Sequence, residues 1–421
     1  MYFWYKFFTY LFYPIAPIYL FIRRIKKKED PIRYKEKLSK ITKSREEGFL
    51  VWFHVASVGE AMSILPLVEY FLEEKKIKKI LLTSITLSSG RILEKRYQLN
   101  DKITHQFLPL DIPIFTKKFL EHWKPNLSIF IDSEIWPNLI SLINKKKIPL
   151  ILVNGRITEK SFKRWKLVKN FAKKIFSKFD LCITSSKESE NFLKELGAKN
   201  VKNHGNLKFS QLKKSLNIEL DTSFLEKIIN RKIWCATSTH PSEEFLCAKA
   251  HLKIKENYKN ILTIIIPRHI NRTEKIKSEL SNLNLKIALY SKPNEIKSDT
   301  DILIIDSYGE TLKFFNITKY VFVGKSLVKN LIKNSGQNPI EPARLGCRIF
   351  HGPNITNFNE IYSYLKELKV AKVVNNSEEL SQSLVDEFKE DKVKSNEITN
   401  KIKSYGQNIF DNVTLELKKY I

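Results

Sequence analysis

Short apolar runs, each followed by a stretch with helical spacing, recur along almost the whole chain, and no other feature restricts its fold as much. Leu50–His54, Lys79–Thr83, Leu127–Ile131, Leu150–Asn154 and Leu181–Thr184 form a first set. After about residue 215 the rhythm restarts with Ile233–Thr237, Ile261–Ile266, Lys286–Tyr290, Ile302–Ile305, Tyr320–Val323 and Arg348–His351. Such runs, split by helical patterns such as Ala61–Leu72 and Ser88–Arg96, predict strands buried on both faces and joined by crossover helices. Two sets predict two doubly wound α/β domains with parallel sheets. A polar, Lys-rich stretch near Gln211–Leu220 lies between them, so the reading divides the chain into residues 25–215 and 216–421. The tail from Glu397 to Ile421 has helical spacing and is expected to pack back on the first domain.

Residues 1–24 are of another kind. Phe3–Ile22 is a run of twenty residues with Lys6 as its one charge, crowded with Tyr, Phe and Trp, and Arg23, Arg24, Lys26, Lys27 and Lys28 follow it. A cleaved signal peptide has its positive charges before the apolar run. Twenty residues just span a bilayer as a helix. Pro14 and Pro17 weaken a straight one, and aromatic density suits the headgroup region. The expectation is an N-terminal membrane anchor, spanning or monotopic, with the basic cluster on the cytoplasmic side. The alternative is an amphipathic helix that covers the core.

Composition matters mainly through charge. Lys and Arg number 73 against 45 Asp and Glu, a formal net charge of +28. Abundant Ile and Asn alongside Lys point to a general compositional bias as one source. The other is a preference for polyanions: a membrane surface, nucleic acid or a phosphorylated substrate. With 43% hydrophobic residues the chain has the material for a core, which excludes a disordered tail protein. Cys182, Cys235, Cys247 and Cys347 show neither CxxC nor metal spacing, so a reducing compartment is expected.

In open parallel sheets ligands bind beyond the carboxyl ends of the strands, and unusual polar segments fall at those positions. His54-Val-Ala-Ser-Val-Gly-Glu60 puts a carboxylate at a helix start. It is either an acid placed against the dipole or a general base in a partly apolar cleft. Asp132-Ser-Glu134-Ile-Trp-Pro137 ends another strand, so Glu134 is a second candidate, or else a capping residue. Lys208 in Asn206-Leu-Lys208-Phe is a third candidate, though a lone Lys is usually solvated. In the second half, Thr237-Ser-Thr-His240 is hydroxyl-rich, and Arg268 with His269 would make a phosphate clamp, since Arg offers a planar donor fork. Ser335-Gly336-Gln337-Asn338 reads as a turn into a helix, where Glu341 could accept from ribose hydroxyls. There is no GxGxxG, no GxxxxGK[ST] and no acidic cluster of the DxD kind, and the histidines are dispersed, so neither a metal nor a cofactor is expected. These residues describe a two-domain nucleotide-sugar glycosyltransferase with donor on the second domain and acceptor on the first.

The same segments carry a resemblance. Trp52-Phe-His-Val-Ala-Ser-Val-Gly-Glu60, Asp132-Ser-Glu-Ile-Trp-Pro-Asn138, Asn154-Gly-Arg156, Gly205-Asn-Leu-Lys-Phe209, Ser238-Thr-His240, Pro267-Arg-His269, Phe322-Val-Gly324, Asn338-Pro-Ile-Glu341 and Asn357-Phe358 occur in that order over essentially the whole chain. The chain thereby resembles the 3-deoxy-D-manno-octulosonic acid (Kdo) transferase family of Gram-negative lipopolysaccharide synthesis. The resemblance implies two Rossmann-like domains facing a cleft, the GT-B architecture. It implies transfer of Kdo from CMP-Kdo to the lipid A precursor, with inversion, at the cytoplasmic side of the bacterial inner membrane. Glu60 then matches the catalytic base, and Glu134 and Lys208 match positions that stabilise the transition state. Arg268, His269, Gly309, Glu310, Thr311, Ser335, Gly336, Gln337, Asn338 and Glu341 match the CMP-binding segments. The implied partners are the donor, the lipid acceptor and the anionic membrane surface, with no nucleic acid.

Three positions depart from the family pattern: Lys325 where a second Gly is usual, Gln337 where His is usual, and Ser210 where Asp is common. They touch donor-side detail and leave the reaction class. The alternatives are a UDP-sugar transferase or epimerase on the same architecture, and a non-catalytic basic protein that binds any polyanion.

Overall fold

The computed structural model describes residues 1–210, 220–328, 335–356, 358–390 and 395–421. Most of the Gln211–Leu220 stretch, the border at 215/216 and Asn357 lie outside the described residues. The chain forms two compact units, Met1–Leu212 with Tyr405–Ile421, and Lys213–Ser404.

The first unit holds a seven-stranded, all-parallel sheet of β1 (Phe49–His54), β2 (Ile77–Ser84), β3 (Ile103–Phe107), β4 (Leu127–Ile131), β5 (Leu150–Gly155), β6 (Leu181–Thr184) and β7 (Val201–Asn203). The order is β3-β2-β1-β4-β5-β6-β7, so the winding reverses between β1 and β4. Both faces are covered, and Trp52, Phe119, Trp123 and Phe130 are fully buried among them.

The second unit repeats the plan with β8 (Lys232–Thr239), β9 (Ile261–Pro267), β10 (Ile287–Leu289), β11 (Ile302–Ile304), β12 (Tyr320–Val323), β13 (Arg348–His351) and β14 (Ala371–Val373). Its order is β10-β11-β9-β8-β12-β13-β14, with the reversal between β8 and β12. Trp234, Phe322 and Phe350 lie in its core. Three strands are absent from the sequence reading: β3, β7 and β14. All three are outermost in their sheets. An edge strand needs no continuous apolar run, and Ile103-Thr-His-Gln-Phe107 and Val201-Lys-Asn203 have none.

The spanning form of the anchor is not supported. Among the described residues no helix is long and apolar enough to cross a membrane. Phe3–Ile22 is divided between two ten-residue helices, α1 (Tyr2–Leu11) and α2 (Ala16–Ile25). Pro14 supplies no N–H and restricts the residue before it, so the helix stops and restarts with Pro17 in its first turn. One side of α1 packs on the first unit. Tyr5 donates its hydroxyl to buried Asp111 (2.9 Å), and Tyr2 and Tyr5 lie against Phe171. Phe3, Trp4, Phe7 and Phe8 on α1, and Ile18, Phe21, Ile22 and Ile25 on α2, remain exposed.

Candidate active site

The winding reversal of the first sheet gathers the acidic candidates. α3 (Val58–Glu73) follows β1, and Ser57 caps it: its hydroxyl oxygen accepts from the Glu60 N–H (3.3 Å) while Ser57 Oγ donates to Glu60 Oε1 (2.8 Å). This is the reciprocal arrangement that Ser-x-x-Glu favours at a helix start, except that Glu60 Oε2 takes the Ala56 N–H (2.7 Å). The carboxylate is therefore aimed back over the end of β1. Its pKa is pushed up to about 7, first by burial and then by the charge of Asp132, against the two hydrogen bonds that favour the ionised form.

Asp132 ends β4 with φ +56, and neighbouring Asn154 has the same φ of +56 at the end of β5. Asn154 donates its side-chain amide to Asp132 and accepts the Leu207 N–H (2.9 Å), tying the strand ends to the turn that carries Lys208. Lys208 Nζ lies 3.9 Å from Asp132 Oδ2. The last helix fixes this turn from outside. A Cβ on Gly406 would come within 2.2 Å of Phe209 O, and Tyr405 meets the Phe209 ring edge-on at 5.1 Å.

Glu134 does not cap the helix Pro137–Lys145, whose first-turn position is taken by Pro137. Its Oε2 accepts from Trp136 Nε1 (2.9 Å) and pairs with His54 Nε2 (3.2 Å). His54 is fully buried, and its Nδ1 lies 2.9 Å from Thr83 Oγ1, which also accepts from Trp52 Nε1 (2.8 Å). With Nε2–H donating, His54 holds the Glu134 carboxylate in place, while Thr83 Oγ1 lies between Nδ1 and Phe53 O, to which it donates (3.4 Å). The first unit thus brings Glu60, Glu134 and Lys208 to one strand-end cluster. It adds Asp132, Asn154, His54 and Thr83, which the residue types alone did not single out. The available signal was that His54 closes one strand and Asp132 follows another, and its use required knowing that β1 and β4 are neighbours.

In the second unit the nucleotide candidates line the carboxyl rim. Arg268 directly follows β9, where its N–H donates to Thr239 O (3.0 Å), and both Arg268 and His269 are exposed. The His269 ring meets His240 at 6.0 Å, so these two histidines are not dispersed. Burial, with Lys325, His269 and Arg272 beside it, lowers the His240 pKa. Gly309, at φ +88, has open space where a Cβ would stand, Glu310 pairs with Lys313 (2.8 Å), and Thr311 begins the helix that follows β11.

Across the reversal, Gly324 lies so close to β8 that a Cβ would be 2.7 Å from Glu243 Oε2, Ser238 O and Thr239 Cα. Lys325 has φ +57, the left-handed region that favours Gly, which accounts for this departure being a costly one. Gly336, at φ +85, donates its N–H to Lys325 O (2.7 Å). Ser335 is fully buried and its hydroxyl is engaged with Thr356 Oγ1 (3.1 Å), so its side chain serves the loop. Gln337 and Asn338 are half-buried beside it, and Glu341 is exposed on the helix Ile340–Arg344. Among the described residues no group of three His, Cys, Asp or Glu is placed to hold a metal ion.

Residues 32–211 match the family model described as 3-deoxy-D-manno-octulosonic-acid transferase (kdotransferase). The chain is 36% identical to the 3-deoxy-D-manno-octulosonic acid transferase of Rickettsia bellii over 90% of this chain and 89% of that one. It is 35% identical to the enzyme of the same name from Rickettsia felis, over 80% of this chain and 70% of that one. Among solved structures, UDP-GlcNAc 2-epimerase from Neisseria meningitidis superposes with a TM-score of 0.58 over 88% of this chain and all of that one (100%), at 13% identity. The two parallel-sheet domains are thus of the kind found in GT-B glycosyltransferases.

Proposed function

The chain belongs to the Kdo transferase family, and from that premise we propose that it transfers Kdo from CMP-Kdo to a hydroxyl of the lipid A precursor in lipopolysaccharide biosynthesis, in one inverting displacement. The observation that carries the mechanism is Glu60: a half-buried carboxylate with a pKa near 7, at the winding reversal of the first sheet. A base must be ionised often enough to accept a proton and basic enough to want it, and a pKa near the working pH serves both. Glu60 takes the proton of the acceptor hydroxyl as that oxygen forms its bond to the anomeric carbon of Kdo. The bond from that carbon to the cytidylate phosphate oxygen breaks, and the electron pair leaves with CMP.

Lys208 is the cation of the cluster and offsets the negative charge of the sugar carboxylate and departing phosphate. Glu134, held by His54 and Trp136, turns its carboxylate toward the anomeric carbon, where positive charge develops. Arg268 and His269, the 309–311 turn and the 335–338 turn with Glu341 are the nucleotide side of the reading. The exposed apolar sides of α1 and α2, bordered by Arg23, Arg24, Lys26, Lys27 and Lys28, support monotopic attachment to the anionic cytoplasmic face of the inner membrane.

The test is purified protein with CMP-Kdo and a defined lipid A precursor in the presence of EDTA, with products weighed by mass spectrometry. Addition of Kdo is expected. Glu60→Gln should lower turnover by about 10²–10⁴-fold while CMP binding survives. Wild-type-like turnover in that variant would remove Glu60 as base, and binding of UDP in preference to CMP would point to a different nucleotide-sugar enzyme.

A further inference from the structure

We propose that a cavity of about 620 Å³ lined by Arg23, Lys28, Thr86, Ser88 and Arg91 in the first unit is the seat for a phosphomonoester on the lipid acceptor. This rests on the transfer reading above and gives the acceptor a specific anchoring group.

Three cations and two hydroxyls face one space, and no acidic residue lines it. Their states of engagement differ. Arg23 donates to Glu29 Oε1 (2.6 Å) and Lys37 to Glu29 Oε2 (2.6 Å), so the charge of Arg23 is already paired with that buried carboxylate. Lys28 and Arg91 have no partner among the described residues, and both are exposed. Arg91 provides a planar donor fork for phosphate oxygens and Lys28 a mobile point charge. Thr86 is the N-cap of the helix Leu87–Tyr97, its hydroxyl oxygen accepting the Ser89 N–H (3.3 Å), and Ser88 stands in the first turn.

Two further features select a lipid as the bearer of the phosphate. Arg23 and Lys28 belong to the end of α2 and the residues after it, and the same helix carries the exposed apolar residues Ile18, Phe21, Ile22 and Ile25. Acyl chains and an anionic headgroup would be met by adjacent surfaces. Moreover, one residue joins this cavity to the proposed base. Ala56 donates its N–H to Glu60 Oε2 (2.7 Å) and accepts at its carbonyl from Thr86 N–H (3.4 Å) and Ser89 Oγ (3.1 Å). The carboxylate and the hydroxyl wall of the cavity are thus on opposite ends of a single residue, a separation of roughly 10 Å. A lipid acceptor can bridge it, with a phosphate at one end and the reacting hydroxyl at the other.

The experiment compares sedimentation of the full chain with phosphatidylcholine vesicles containing either phosphatidic acid, a phosphomonoester, or charge-matched phosphatidylglycerol, a phosphodiester. Wild-type protein should bind the monoester vesicles at least about fivefold more tightly. Lys28→Ala with Arg91→Ala should erase that preference, while Lys26→Ala with Lys27→Ala lowers binding to both vesicles alike. Equal affinity for the two lipids, or a preference unchanged in the Lys28/Arg91 variant, overturns the proposal. Melting in inorganic phosphate separates the sources: stabilisation at sub-millimolar phosphate without any vesicle preference would mean a free-phosphate site and overturn the lipid assignment. In turnover assays the same double variant should raise KM for a phosphorylated acceptor about tenfold, with kcat and the donor KM unchanged and no effect on a dephosphorylated acceptor. If no Kdo is transferred at all, the transfer reading fails, and the vesicle comparison still decides the cavity.

Discussion

The pKa of Glu60 makes the pH–rate profile the sharpest test of the active site. Burial and the neighbouring Asp132 charge push it from the ordinary 4.5 up to about 7. If ionised Glu60 is the base, kcat/KM measured at low acceptor and saturating donor should climb with unit slope and level near pH 7. At pH 5.5 only about 3% of the carboxyl is ionised with a pKa of 7, against about 90% with a pKa of 4.5, a difference of roughly 30-fold in rate. A phosphomonoester on the proposed acceptor would titrate near pH 6, so the wild-type profile must be read against variants that leave the substrate unchanged. Asp132→Asn removes a like charge and should move the limb to lower pH. Ser57→Ala removes a donor that favours the ionised form and should move it to higher pH. Glu60→Gln should leave a low, flat residual rate. Initial rates by mass spectrometry between pH 5 and about 8.5, with circular dichroism as a check on folding, give all four profiles. A wild-type limb near 4.5, or a limb that neither Asp132→Asn nor Ser57→Ala displaces, refutes the assignment of Glu60.

Further outcomes follow from single residues. Lys208→Met should cost about 10²–10³ in kcat, with the acceptor KM nearly unchanged, because its cation is needed as charge develops; a loss confined to KM would make it a binding residue. Gly324→Ala forces a Cβ to within 2.7 Å of Ser238 O and Thr239 Cα, backbone that cannot give way, and should lower stability by about 1–3 kcal/mol in denaturant titration. Burial pushes the Asp111 carboxyl up to about 6, against 3.8 ordinarily, so the folded state holds its proton more tightly than the unfolded one. Its contribution to stability is full below about pH 4 and lost as pH rises through 6, at most about 3 kcal/mol, and Asp111→Asn should flatten that dependence in pH-resolved melts. Glu243→Gln replaces an acceptor of four backbone N–H groups, from His240, Lys325, Ser326 and Leu327, and should destabilise by about 2–4 kcal/mol on thermal melting.

How legible this molecule is in its sequence depends on where each strand lies. Leu127-Ser-Ile-Phe-Ile131 is central in its sheet and buried on both faces, and its apolar run marks it without help. Ile103-Thr-His-Gln-Phe107 is an edge whose His105 and Gln106 pair with Ser84 and Trp123, contacts that no periodicity encodes. The amino-terminal run is legible as two helices only through Pro14, because apolar density alone favours one. The site divides in the same way. Ser57-Val-Gly-Glu60 announces a capped helix start locally, but Asp132, which helps raise the Glu60 pKa, arrives through the β1–β4 adjacency. His54 reads as a lone histidine until that adjacency sets it on Glu134.

The two winding reversals also show why local sequence cannot separate the carboxylate proposed as base from a structural one. Glu60 and Glu243 are topological counterparts. Each lies at the start of the helix after the first strand of its sheet, and each accepts a backbone N–H from the strand-to-helix turn, Ala56 or His240. Burial raises the pKa of both. What differs is the strand across the reversal. β12 continues into Lys325, Ser326 and Leu327, whose N–H groups converge on Glu243 at 2.6, 2.9 and 3.0 Å and exhaust its lone pairs. β4 continues into Asp132 and Glu134, which offer Glu60 no donor and add negative charge. One carboxylate is therefore saturated and closed off by Gly324, and the other is left with spare basicity, half exposed, with Lys208 close to Asp132 beside it. What the neighbouring strand supplies after its last residue sets the carboxylate's surroundings, and the same helix-start glutamate is a fastener in one unit and the proposed base in the other.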